Sequence, residues 1–120
     1  MTRWPLAPWP LSLWLLAGCG DPVEDTGFCA DQPVVTWANF GQGFILQECQ
    51  GCHASTSPTR YGAPEDVHFD AVDEVWARRE AVLERAAPVE GDPDMPPSAS
   101  TKEEDRALLR VWLTCAEEGT

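Results

Sequence analysis

Cys49-Gln50-Gly51-Cys52-His53 brings two thiols and an imidazole together in five consecutive residues, and the expected fold follows from how this stretch is read. Residues three apart on a helix share a face, so both thiols can bond to one porphyrin while the next side chain turns towards its iron. That is the spacing of covalent haem attachment. Two other chemistries use a CxxC pair. Thiol exchange of the thioredoxin kind expects a βαβ setting, and no strand pattern surrounds these residues. Zinc needs a fourth thiol or imidazole, and only His68 stands nearby. The expected cofactor is one covalent haem c, held by Cys49 and Cys52 with His53 below the iron.

The chain has five cysteines, and the first sits in a different context. Residues 1–18 set Arg3 ahead of a short apolar run containing Leu11, Leu13, Trp14, Leu15 and Leu16 and ending in Ala17-Gly18 before Cys19. This reads as a signal peptide, too short and too rich in proline (Pro5, Pro8, Pro10) for a comfortable membrane span. The string LAGC resembles the bacterial lipoprotein box, which implies cleavage before Cys19 and lipid on its sulfur. An ordinary secretory signal or an uncleaved anchor is the alternative. A lipidated Cys19 holds a protein on a membrane without spanning it, so the expected location is the extracytoplasmic, periplasmic side of a bacterial membrane. With Cys19 assigned to lipid and Cys49 and Cys52 to haem, Cys29 and Cys115 remain. In an oxidising compartment such a pair is most simply a disulfide, with two free thiols as the alternative.

The chain carries 8 basic and 20 acidic residues, a formal charge of −12, and loses Arg3 with the leader. Such a surface lacks the positive footprint that nucleic acid requires and favours either a basic docking partner or solubility alone. Residues 19–33 mix Gly, Pro and acidic residues without an apolar period and read as a lipidated tether. Residues 34–120 form the one expected domain, without internal repeats or a second CxxCH.

Within that domain Trp37, Phe40, Phe44, Ile45 and Cys49 follow steps of three and four, predicting a helix that starts near Thr36 and ends at the motif. Residues 54–69 read as a loop along one side of the cofactor. A second helix is expected from an Asp70 cap to about Ala87, with Val72, Val75, Trp76, Val82 and Leu83 on one stripe. Residues 88–99 hold four prolines and are expected to be irregular. A last helix opens at Ser100 and Glu103, or Thr101 and Glu104, in capping-box spacing and runs through Leu108, Leu109, Val111, Trp112 and Cys115. The expected fold class is mainly α.

Over residues 34–118 the chain resembles small class I cytochromes c. The likeness rests on CQGCH after an N-terminal helix, Gly62-Ala63-Pro64 soon after the histidine, Met95-Pro96 in a late proline-rich loop, and a C-terminal helix bearing Trp112. The resemblance implies a small helical domain wrapped around one haem. In that family a glycine eight residues before the first haem cysteine lets the terminal helices cross closely, and Gly41 stands there. The usual aromatic companion of that glycine is replaced by Ile45, with Phe44 beside it. The resemblance further implies His53 as proximal iron ligand, the Pro64 carbonyl as acceptor of its other ring N–H, and Met95 as sixth ligand. His68 is the competing sixth ligand, though its position 15 residues past His53 suits a solvated or loop-packing role better.

His/Met ligation fills both axial positions and implies a comparatively high potential. The expected function is a membrane-tethered, extracytoplasmic carrier of single electrons between redox partner proteins, not an enzyme. A haem-based sensor or small-ligand-binding lipoprotein, with Met95 displaced by ligand, is the alternative. A haem-free lipoprotein with two disulfides is a third class.

Overall fold

The computed structural model describes residues 27–120. The expected signal peptide, the lipid site Cys19 and the first part of the tether lie outside the described residues. Among the described residues all regular structure is helical and no strand occurs, in keeping with apolar spacings of three and four rather than two.

The N-terminal helix, residues 37–53, winds without a break through π turns at Trp37–Gly41 and Ile45–Cys49 and α turns at Gln42–Phe44 and Gln50–His53. Its start is set by Thr36. The Thr36 hydroxyl accepts from the Asn39 amide at 3.2 Å while Asn39 Oδ1 accepts from the Thr36 amide at 2.7 Å, so each residue satisfies a backbone donor of the other. Phe44 and Ile45 are buried, with Trp37, Phe40 and Cys49 packed partly buried against the same core. At Ala54 the backbone turns extended, which makes His53 the last helical residue.

The expected second helix is two: Val72–Ala77 and Arg79–Ala86. Arg78 separates them with φ −119° and ψ 20°, outside helical values, while its guanidinium donates to the Asp66 carbonyl at 3.0 Å. Asp70 is not the cap. Its carboxylate accepts from the Ser55 amide at 3.0 Å, drawing the loop 54–69 closed, and Glu74 instead receives the amides of Asp70 at 2.6 Å and Ala71 at 3.0 Å.

The C-terminal helix spans Glu103–Cys115 and forms neither expected capping box. The hydroxyls are engaged elsewhere: Thr101 donates to Glu48 on the N-terminal helix, and Ser98 and Ser100 pair with each other at 3.0 Å. Glu103, Glu104 and Asp105 in the first turn complement the positive end of the helix dipole.

Trp112, Ile45, Leu109, Leu113 and Val75 are the largest fully buried side chains. The terminal helices cross where Gly41 meets Trp112, so closely that a Cβ on Gly41 would lie 2.7 Å from the indole carbons Cη2 and Cζ2. Trp37 and Trp76 flank the same indole at centroid distances of 5.8 and 6.2 Å, and Trp112 Nε1 donates to the Thr120 carbonyl at 2.8 Å. Cys29 and Cys115 are bonded across 86 residues of chain. In the chain-entropy picture a loop of that length removes about 4–5 kcal/mol of freedom from the unfolded chain.

Gly41→Ala forces a methyl into a rigid, buried ring and should lower unfolding stability by about 1–3 kcal/mol or more. Gly43→Ala, with nothing within 4 Å of its added carbon, should raise stability by up to about 1 kcal/mol through helix propensity. Denaturant unfolding of the two variants checks the crossing, since equal effects would remove its special status.

Candidate functional site

The helix end that closes the N-terminal run carries Cys49 in its last π turn and Cys52 and His53 in its last α turn. Both thiols are free and half-buried, whereas Cys29 and Cys115 are joined to each other. Burial, with smaller contributions from the Glu48 charge and from Cys52, pushes the Cys49 thiol up to about 12. Thiol exchange proceeds through the thiolate, so a neutral Cys49 is a poor redox nucleophile at physiological pH.

His53 is held from three directions. Its Nδ1 lies 3.0 Å from the Val67 carbonyl, its own carbonyl accepts from the Phe69 amide at 2.7 Å, and its ring packs on the Phe69 ring at 5.2 Å. With the proton of the neutral ring on Nδ1, the lone pair sits on Nε2, the form in which imidazole binds a metal.

Val67 therefore takes the place expected of Pro64. The Pro64 carbonyl accepts from Arg60 Nη2 at 2.7 Å and from the Val67 amide at 3.1 Å, which leaves it engaged within its own loop. The cause is Arg60, whose guanidinium also reaches the carbonyls of Ala54 at 2.8 Å and Val67 at 2.8 Å and gathers the loop so that residue 67 passes the imidazole. A lone arginine among Ser, Thr, Gly and Pro carries no periodic signal, so the sequence offered no sign of this role.

Met95 sits half-buried against the core in the proline-rich loop, and both its backbone groups are committed. Its amide donates to the Arg85 carbonyl at 3.0 Å, and its carbonyl accepts from Arg106 Nη1 at 2.8 Å. Arg106 is only 5% exposed and also donates to the Ala86 carbonyl. Beside Met95, the Arg85 guanidinium holds both oxygens of Asp94 at 2.8 to 3.2 Å. Arg106 did have a sequence signal, because it shares the helical stripe of Leu109 and Leu113, where a charge has no place unless it is paired.

The structure thus unites Cys49, Cys52 and His53 at one helix end and fixes Met95 in a separate loop between two helices. His68, expected to be solvated or packed in the loop, is half-buried with Nδ1 2.8 Å from Glu74 Oε1. An open cavity of about 570 Å³ lies elsewhere, along residues 76–81 and Glu118.

Set beside known proteins, the chain matches no family model, no curated protein and no solved structure. The site has to be read from its own chemistry.

Two measurements check the Met95 loop. Hydrogen bonds from Arg85 hold the Asp94 carboxyl below the usual range. A depressed folded value means the clasp is at full strength above aspartate's ordinary pKa of about 3.9 and is lost as pH falls through the lower folded value. Acid titration followed by near-UV circular dichroism should leave the loop unchanged from pH 7 to about 5 and loosen it below about 4, while Asp94→Asn should show the loosened signal already at neutrality. Arg106→Leu leaves a buried carbonyl at Ala86 and a partly buried one at Met95 without their charged donor and should cost about 2–4 kcal/mol in denaturant unfolding.

Proposed function

We propose that this chain is a membrane-tethered, extracytoplasmic c-type cytochrome, carrying single electrons through one covalently attached haem. The observation that carries this reading is the state of His53: Nδ1 is committed to the Val67 carbonyl, which leaves Nε2 as the ligating nitrogen directly after Cys52 and one turn after Cys49. A carbonyl on the far ring nitrogen fixes the tautomer and raises ligand basicity. The donor set suits the group. Cys49 and Cys52 would hold the porphyrin through thioether bonds, and His53 and Met95 would ligate the iron. The haem supplies the one-electron couple.

The chain's own part is to hold those ligands still. Met95 is tied at its amide and at its carbonyl, which resists rearrangement when the charge at the site changes by one. That fixity favours electron carriage over the sensor reading, in which Met95 must leave to admit a ligand. With His53 and Met95 both engaged by the iron, the group would be left to pass electrons rather than to turn over a substrate. The formal charge of −12 suits redox partners with basic docking surfaces and disfavours nucleic acid.

The bond between Cys29 and Cys115 belongs to an oxidising compartment, which supports the extracytoplasmic assignment. No helix among the described residues is long and apolar enough to cross a membrane, and attachment through lipid on Cys19 would supply the anchor.

The test is spectroscopic. Expressed with a competent haem-attachment system, the denatured protein should keep its haem and give a c-type pyridine haemochrome, and Cys49→Ala with Cys52→Ala should release it. A haem-free product from that system would sink the proposal. Met95→Ala should retain haem, lose the far-red charge-transfer band of methionine ligation and lower the midpoint potential by part of the roughly 0.8 V over which axial ligands set haem potentials. An unchanged band removes Met95 from the iron.

A further inference from the structure

The strap that brings Val67 and Phe69 to His53 also assembles a second group of ligand-type atoms. His68, Asp70 and Glu74 each offer one such atom, all lying within 4.8 Å of one another. The pair at its centre is unusual. His68 Nδ1 is 2.8 Å from Glu74 Oε1, yet Nδ1 is buried and makes no hydrogen bond, so the N–H direction of the ring misses the oxygen. Hydrogen-bonded pairs point at each other, whereas two ligands of one ion each point at the ion.

The carboxylates are held in place without a cation. Glu74 Oε2 receives the Asp70 and Ala71 amides at 2.6 and 3.0 Å, which leaves Oε1 for His68. Asp70 is steadied by the Ser55 amide at 3.0 and 3.3 Å. Of the nearby guanidiniums, Arg60 is spread over four loop carbonyls and Arg78 is bound to Asp66. Neither hydrogen-bonds to this trio.

We propose that His68, Asp70 and Glu74 bind one divalent cation of the zinc type on the strap across His53. One imidazole and two carboxylates, completed by water, suit a borderline transition cation, while calcium takes six to eight oxygens that these three side chains do not supply. The position has a consequence for the rest of the site. Phe69, between the first two ligands, donates its amide to the His53 carbonyl and packs its ring, tilted, against the His53 ring, so a bound ion clamps the residue that braces the imidazole. The cation site does not depend on haem being present.

Isothermal titration with Zn²⁺, after chelator treatment, of the haem-loaded protein and of the Cys49→Ala, Cys52→Ala chain, in neither of which the CxxC thiols can take the ion, should give one equivalent. His68→Phe and Asp70→Asn should each weaken it at least tenfold, with Asp73→Asn, exposed and outside the trio, unchanged. Folding of each variant is checked by far-UV circular dichroism. His68 is one of only two histidines, so its ring resonances in the wild-type protein provide a readout that needs no variant, and they should move on adding Zn²⁺ and stay in place with Ca²⁺ at equal concentration. Absence of saturable binding, His68 resonances that do not respond, or wild-type affinity retained in both trio variants overturns the proposal, the last by placing the ion on the acidic surface at large. Covalent haem content is measured separately, so failure here and failure of the cytochrome reading are distinguishable.

Discussion

Everything else in this domain depends on the contact of Gly41 with the Trp112 indole. A residue with any side chain at position 41 would meet that ring and force the two terminal helices apart or the indole aside. Trp112 then collects Trp37 from one helix and Trp76 from another, and Ile45, Leu109 and Leu113 fill the space around it. Because the N-terminal helix is fixed at this point, its far end is fixed as well, and that end is Cys49 to His53. The disulfide ties the end of the C-terminal helix to Cys29, ahead of the N-terminal helix, and Thr101, just before the C-terminal helix, donates to Glu48 on the N-terminal one.

In a chain with so few basic residues, the arginines serve the fold more than the surface. Arg60, Arg78, Arg106 and Arg110 all donate to backbone carbonyls of loops and helix ends. The helix Arg79–Ala86 ends with carbonyls at Ala86, Ala87 and Pro88 directed to Arg106 and Arg110, which is one way of satisfying the acceptors every helix end exposes. Arg79 instead lies over the Trp76 ring at 5.5 Å. Loops that the sequence makes irregular are therefore given definite shapes by a cation with several donors, and both loops that bear on the candidate site, 54–69 and 88–99, are shaped this way.

Much of the helical layout was readable from apolar spacing. Thr36, the stripe through Ile45 and the run to Cys115 lie where steps of three and four put them, because burying one face is a local requirement that every third or fourth residue must meet. The caps were read less well. Asp70, Ser100 and Thr101 have the right chemistry for helix starts, but each has a partner distant in sequence or a neighbouring hydroxyl that takes its oxygen first. The break at Arg78 was hidden for the same reason, since its cause includes a carbonyl twelve residues earlier.

The candidate site divides along that line. Cys49, Cys52 and His53 are adjacent in the chain, so one helical turn suffices to gather them and their grouping was plain from the residues alone. The acceptor for His53 is set by how Arg60 folds a loop, and it is Val67, not Pro64; the hold on Met95 comes from Arg85 and Arg106 on two different helices. Local periodicity is written in the order of residues, whereas these hydrogen bonds exist only once the Gly41 and Trp112 crossing has brought distant segments within 3 Å or so of each other.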